Sequence, residues 1–284
     1  MAESRNQEQW MSEIQRTRLP QGTAAVWFLG QESVVIKGQA TIIYVDPFIS
    51  ETLADARSFP PPFSPEAITA IDICLITHEH IDHLDPGTIR VLAQTQPQTR
   101  YIAPACCRQL LIDCGVATDQ ITDARAGDWL DIGTGEESIR LLPISAAHEE
   151  LDQDEQGFDR YVGYILQLNG VTIYHAGDTV IYPGLAETLR EQSIDLGLLP
   201  INGGNYYRRS QHIVGNMDYR EAVELTLAAG IETVVPLHYD MFDGNSEKPG
   251  DFVQYLYEQY PEQRSHVMAR FERYVYVSDK AFLE

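Results

Sequence analysis

Thr77-His78-Glu79-His80-Ile81-Asp82-His83-Leu84-Asp85 reads as H-x-H-x-D-H, and the rest of the chain is organised around it. An apolar run, residues 71–76, precedes the stretch, while Pro86 and a helix-like segment at 88–93 follow it. Three imidazoles and a carboxylate therefore crowd one turn between a strand and a helix. Neutral imidazole and carboxylate are the ligands of borderline divalent cations such as Zn²⁺ and Mn²⁺, and a short irregular turn can aim them all inward. The bland alternative is a histidine-rich surface loop, yet composition produces this pattern by accident on the order of once in two thousand chains of this length.

Upstream of the motif, β-forming runs at 24–29, 33–37 and 41–45, separated by Gly30 and Gly38, predict an antiparallel meander. It ends at Asp46-Pro47-Phe48, where Asp46 serves either as a turn former or as a partner that orients a metal ligand. Residues 5–17 predict a polar helix that docks loosely through Trp10, Met11 and Ile14. Downstream, strand and helix alternate through 101–103 and 105–113, and a strand at 138–144 leads to His148. The acidic stretch 149–156 reads as a loop beside the site.

A second β-rich series follows, in which 161–168 and 171–175 form a hairpin across Asn169-Gly170. A turn carrying Asp178, a helix at 185–190 and a strand at 194–199 come next. A helix at 217–229, stopped by Gly230, then leads into the strand that delivers His238. A helix at 251–260 and a strand at 273–277 complete the chain. The β-rich and then alternating order thus occurs twice, which suggests two similar halves forming one sandwich of sheets with helices outside.

Composition narrows the function. Asp and Glu number 42 against 20 Lys and Arg, a formal net charge of −22. Such a surface repels phosphate backbones and anionic membranes, so neither nucleic acid nor a membrane is expected as a partner. Cys74, Cys106, Cys107 and Cys114 lack the paired spacing of a zinc ribbon and are expected as reduced thiols. Residues 1–18 are polar with no apolar leader core, which points to a cytoplasmic protein.

His148, Asp178 and His238 each follow a predicted strand, where loops can converge on one site. Behind H-x-H-x-D-H, in this order, they resemble the metallo-β-lactamase superfamily from about residue 24 to residue 277. The resemblance implies an α/β fold, the αββα sandwich of two β-sheets flanked by helices. It would occupy 23–284 behind an N-terminal helical extension at 1–22. It also implies two divalent cations, Zn²⁺ or Mn²⁺. One would be held by His78, His80 and His148, the other by Asp82, His83 and His238, with Asp178 bridging them.

Trp27-Phe28-Leu29-Gly30, Val45-Asp46-Pro47-Phe48, Tyr174-His175-Ala176-Gly177-Asp178-Thr179, Pro236-Leu237-His238-Tyr239-Asp240 and Asp159-Arg160 are similar to the bacterial branch that contains L-ascorbate-6-phosphate lactonase. The chain departs from that branch in lacking its long insertions, and Gln31 stands where several relatives, including phospholipid phosphodiesterases, carry a histidine.

The chemistry implied is hydrolysis of a small, anionic lactone by a hydroxide that the two cations share and activate. Asp82 is expected to be both ligand and catalytic acid/base. Arg160, Arg208 and Arg209 are candidates to grip the substrate's anionic group, and Asn202, Tyr206 and Tyr239 to donate hydrogen bonds. His212 is a substrate contact or a surface residue, His175 a packing or supporting residue, and His266 peripheral. Tyr206-Tyr207 and Tyr255-Tyr257 mark a candidate surface for a homo-oligomer.

The enzymatic alternative is a metal-dependent phosphodiesterase acting on a small or lipid-like phosphodiester, with the same cations clamping both oxygens of an in-line displacement. Iron-based redox members of the superfamily place a carboxylate where His80 stands and add a flavin domain, and this chain has neither. A non-catalytic metal-binding scaffold would have no physical need for Asp82 beside an open metal position.

Overall fold

In the computed structural model, which describes residues 6–282 except 134, 136 and 280, the first half of the chain builds one sheet. Its elements are α1 (Gln7–Arg16), β1 (Thr23–Gly30), β2 (Ser33–Lys37), β3 (Ile42–Val45), β4 (Ile73–Leu75), α2 (Pro86–Thr95), β5 (Arg100–Ala103), α3 (Arg108–Asp113) and β6 (Ile121–Asp123). Strands β1, β2 and β3 form the antiparallel meander, and β4, β5 and β6 continue from β3 in parallel.

The second half repeats the plan. It comprises β7 (Leu130–Asp131), β8 (Ile139–Ser145), β9 (Ala147–His148), β10 (Glu150–Leu151), β11 (Val162–Leu168), β12 (Val171–His175), α4 (Leu185–Gln192), β13 (Leu196–Pro200), α5 (Tyr206–Ser210), α6 (Tyr219–Ala229), β14 (Thr233–Leu237), α7 (Pro249–Gln259) and β15 (Arg264–Ser265). Strands β7, β8, β11 and β12 are antiparallel, and β13, β14 and β15 extend the sheet in parallel. The last strand, β16 (Arg273–Val277), crosses back to pair with β1.

Strand periodicity explains why these runs are apolar at nearly every position. In β1, Ala25, Trp27 and Leu29 face the core beneath α1, α2 and α3, whereas Ala24, Val26 and Phe28 face the core between the two sheets. In β11, Tyr164 and Leu166 enter the inter-sheet core, while Ile165 joins the core under α4, α6 and α7. A strand covered on both faces loses the polar alternation of a surface strand. The result is four layers, αββα, with three large apolar cores and a small fourth cluster of Phe48, Phe59 and Met241 among the described residues, in which each fully buried large side chain contributes about 1.5–3 kcal/mol.

Two expectations need correction. The N-terminal helix is not loosely docked: Trp10, Met11 and Ile14 are buried, and Trp27 Nε1 donates to Glu13 Oε1 at 3.1 Å. Lys37 Nζ donates to the last carbonyls of that helix, Ile14 at 2.8 Å and Gln15 at 2.7 Å, a favourable cation at a helix C-terminus. Within 149–156, Glu150 and Leu151 are not loop but pair with His148 and Ala147 as a short antiparallel ribbon.

All the chemistry gathers at one edge. Asp46 follows β3, the H-x-H-x-D-H turn follows β4, Asp178 follows β12 and His238 follows β14, each at the carboxyl end of its strand. The two sheets are stitched there: Val162 N donates to the Thr77 carbonyl at 3.1 Å, and the Tyr164 hydroxyl to the Ile76 carbonyl at 2.6 Å. Gly177, with φ of 57°, permits the closest approach, since a Cβ there would meet Thr77 side-chain atoms at 2.9 Å.

Candidate metal centre

The structure brings all seven expected ligands together as two donor groups. In the first, His78, His80 and His148 offer nitrogens within 4.8 Å of one another. His78 Nε2 lies 3.0 Å from His80 Nδ1. In the second, Asp82, His83 and His238 meet the same distance limit, and so do His78, His83 and Asp178, which link the two. Asp178 stands between them. Its Oδ2 is 4.0 Å from His78 Nε2 and 3.9 Å from His148 Nε2, while its Oδ1 is 3.5 Å from both His83 Nε2 and His238 Nε2.

Hydrogen bonds to the far side of two rings fix which nitrogen faces the centre. His83 Nδ1 donates to Asp46 Oδ2 at 2.7 Å, leaving Nε2 free to face the centre, where it could bind a cation. Thr77 Oγ1 donates to the same carboxylate oxygen at 2.6 Å and accepts from His78 Nδ1 at 3.0 Å. Asp46 therefore orients a ligand instead of merely forming a turn. It has φ of 45°, and His238 and Gln31 also adopt left-handed backbones, with φ of 55° and 58°. Such local strain at three non-glycine residues around one cluster is the pattern of a functional site.

The donor chemistry fits a cation. His83 Nε2 and Asp178 Oδ1 are buried and have no hydrogen-bond partner. Burial, reinforced by His83, pushes the pKa of His78 well below the ordinary histidine value, and burial also lowers that of His148, which favours the neutral form a cation would need. At His83 burial acts in the same direction but is outweighed by Asp178, Asp82 and Asp46, which raise its pKa well above the ordinary value. Burial likewise opposes ionisation of Asp178, yet His238 and His83 hold its carboxyl well below the usual carboxylate range.

The candidate substrate contacts are less uniform. Arg160 is at the rim, where its guanidinium is already engaged by Glu79 and lies 3.5 Å from Asp152. Arg208 is not a free anion grip: its guanidinium donates to the carbonyls of Gly244 at 3.0 Å, Gly203 at 2.8 Å and Ser246 at 2.5 Å, cross-linking loops. Tyr239 is likewise committed, stacked on Phe28 with its hydroxyl 3.0 Å from the Met268 carbonyl it donates to. Asn202 is buried with Nδ2 donating to Asn245 Oδ1 at 2.9 Å. Tyr206 is 83% exposed on α5, and Arg209 and His212 are exposed beside it. His175 is a buried support whose Nε2 lies 2.9 Å from the Glu32 carbonyl, and His266 stacks on Tyr274 away from the cluster.

Three neighbours of the centre were not among the expected site residues, although Gln31 stood out as a departure from relatives with a histidine there. The Tyr161 ring packs 5.2 Å from both His78 and His148, flanking the first group. Gln31 Nε2 touches the second group, and Glu32 is fully buried with no hydrogen bond to either carboxylate oxygen, Oε2 lying 3.4 Å from His175 Nε2. Burial, together with Asp178, raises the Glu32 pKa well above the usual carboxylate range. For Tyr161 and Glu32 the sequence around them says nothing about a metal, and for Gln31 the signal was the histidine that relatives carry in its place.

A sandwich of two mixed sheets with a His/Asp cluster at its loop edge defines a metal-dependent hydrolase class. The model of the beta-lactamase superfamily domain matches residues 41–239, and the chain belongs to that family. A relative named probable L-ascorbate-6-phosphate lactonase UlaG, from Escherichia fergusonii, is 25% identical over 284 residues, covering 88% of this chain and 78% of the relative. A metal-dependent hydrolase of Pyrococcus furiosus is 29% identical over 239 residues, covering 82% of this chain and 92% of the relative. Among solved structures, a metallo hydrolase of Ignicoccus hospitalis shares the fold with a TM-score of 0.69 at 22% identity, over 89% of this chain and 98% of that one. Among the described residues, no helix is long and apolar enough to cross a membrane.

Proposed function

We propose that the protein is a cytoplasmic hydrolase that uses two divalent cations, Zn²⁺ or Mn²⁺, to open a small anionic lactone. The observation that carries this reading is the split carboxylate of Asp178, with Oδ2 facing His78 and His148 at 4.0 and 3.9 Å and Oδ1 facing His83 and His238 at 3.5 Å. Similarity to the lactonase relative supports the substrate class. All four cysteines are free thiols, as suits a reducing compartment.

When bound, the cations would activate water near neutral pH and polarise the carbonyl under attack. The chain's own residues supply the rest. Asp178 would hold the two cations at a fixed spacing, and Asp46, through His83, would keep one imidazole aimed at them. Asp82 is the solvent-facing member of the second group, its side chain 20% exposed against 0% for His83 and 2% for His238. That position suits a carboxylate that takes the proton of the attacking water and returns it to the departing alkoxide.

The test is a turnover screen of protein reconstituted separately with Zn²⁺ and Mn²⁺, pairing lactones with a generic aryl phosphodiester and using Asp82→Asn as the blank. Lactone opening that vanishes in the blank is the expected result. Phosphodiester cleavage without lactone opening would replace the substrate class and leave the two-cation reading standing.

A further inference from the structure

Gln31 lies in the turn between β1 and β2, fully buried, and its carbonyl accepts the His238 backbone N–H at 3.0 Å. Its side-chain amide is aimed into the second donor group: Nε2 lies 3.0 Å from Asp82 Oδ2 and 3.0 Å from His238 Nε2. These are two of the three ligand atoms of that group. The other end of the amide, Oε1, is buried and has no partner.

Without a cation, an amide N–H₂ suits this corner, because two lone pairs converge on it. A cation that takes both lone pairs cannot share the corner with two N–H dipoles pointing their positive ends at it. The two ends of a carboxamide have nearly the same shape. A half-turn about the last side-chain bond would bring Oε1 to the corner and move the N–H₂ away, at the cost of no hydrogen bond that Oε1 now makes.

We infer that Gln31 is a metal ligand of the second group, binding through Oε1. This rests on the two-cation reading given above. The second group then has three oxygen donors, from Asp82, Asp178 and Gln31, beside two imidazoles, whereas the first has three imidazoles and one carboxylate oxygen. Imidazole-rich sites suit Zn²⁺ and oxygen-rich sites suit Mn²⁺. One chain thereby carries two sites of different metal preference, and Gln31 widens the difference that Asp82 begins.

The test is Mn²⁺ titration of the metal-free full chain, read by electron paramagnetic resonance and by metal content. The variants are Gln31→Met, which keeps the length without the oxygen, and Gln31→Glu, which keeps an oxygen and adds charge. Wild type is expected to bind two Mn²⁺. Gln31→Met should weaken one of them by about tenfold or more and leave the other unchanged, and Gln31→Glu should tighten one by a similar factor. Zn²⁺ at the three-histidine group should be indifferent to both changes.

Wild-type binding of both ions by Gln31→Met would overturn the inference. So would binding by Gln31→Glu that is equal to or weaker than wild type, since the N–H₂ end would then be the one that matters. Should Gln31→Met lose its cooperative melting transition, Gln31→Glu decides alone by the same criterion. A wild-type stoichiometry of one would remove the two-cation reading by itself, and loss or retention of that single ion in Gln31→Met would still decide the role of Gln31.

Discussion

The two donor groups share Asp178 but are built differently. The first is held largely by packing: the His78, His80 and His148 rings crowd one another and Tyr161, with centroids 4.7 to 5.9 Å apart, and buried His148 Nδ1 has no partner. The second is held by hydrogen bonds, from His83 to Asp46 and from Gln31 to Asp82, at 2.7 and 3.0 Å. Exposure cuts across that division: in the first group His80 is exposed and His78 buried, and in the second Asp82 is half-buried while His83 and His238 are buried. A group held by ring contacts can shift with its substrate, whereas the bond from His83 to buried Asp46 fixes that imidazole before the ion arrives, and only the Gln31 amide has to turn. The packed group would thus tolerate change in its surroundings, and the bonded group would not.

Removing the shared residue should have the largest effect. Asp178→Ala is expected to lower metal content at both groups and cut turnover by about 10³-fold, equivalent to about 4 kcal/mol of transition-state stabilisation. Metal analysis of the purified variant beside its kcat/KM checks both parts. Loss of a single ion with the other fully retained would mean that the groups are independent, and the comparison would fail at its root.

Asp82→Asn comes next. The substitution keeps the size of the side chain but removes its ability to carry the proton, so turnover should fall by about 10²–10³-fold. The metal at the three-histidine group should stay. Turnover of the metal-replete variant, with an unchanged melting curve, is the measurement, and full activity would take the proton-transfer role from Asp82.

Asp46→Asn separates the groups without touching a ligand. Asparagine tolerates the left-handed backbone that Asp46 adopts, with φ of 45°, so the turn should survive. Loss of the charged partner of His83 should weaken metal binding at the second group by about 10–100-fold and leave the first nearly unchanged. Equal weakening at both would show that Thr77, which bonds Asp46 and also faces His78, transmits the change across the shared wall.

The same contrast governs what the sequence disclosed. H-x-H-x-D-H was legible because four ligands fall within six residues, and His148, Asp178 and His238 were legible because each closes an apolar run. The layers followed from the repeated order of strands and helices. Contacts that depend on distant carbonyls were not. Arg208-Arg209 reads the same whether it faces solvent or bonds Gly203, Gly244 and Ser246, and Tyr239 gives no sign that its hydroxyl is spent on Met268. Strand β6 has three residues, too few to show a period, and Tyr161 reaches the histidines only because β11 pairs with β8.

Arg160 should give the smallest effect and the sharpest reading of the rim beside the first group. Its guanidinium pairs with Glu79, inside the H-x-H turn, and the two side chains are 35% and 30% exposed. The Glu79 hydrogen bond and charge raise the Arg160 pKa, but at this exposure solvent screening leaves such a pair worth about 0.2–1 kcal/mol. Arg160→Ala should therefore shift the melting temperature only slightly and change metal content not at all, because packing and not this pair holds the histidines. Its effect on KM decides the remaining question. An unchanged KM for an anionic lactone would make the pair a brace for the turn. A KM raised tenfold for an anionic substrate, with a neutral analogue unaffected, would mean that substrate displaces Glu79 and that the packed, open group is the side on which the anion is read.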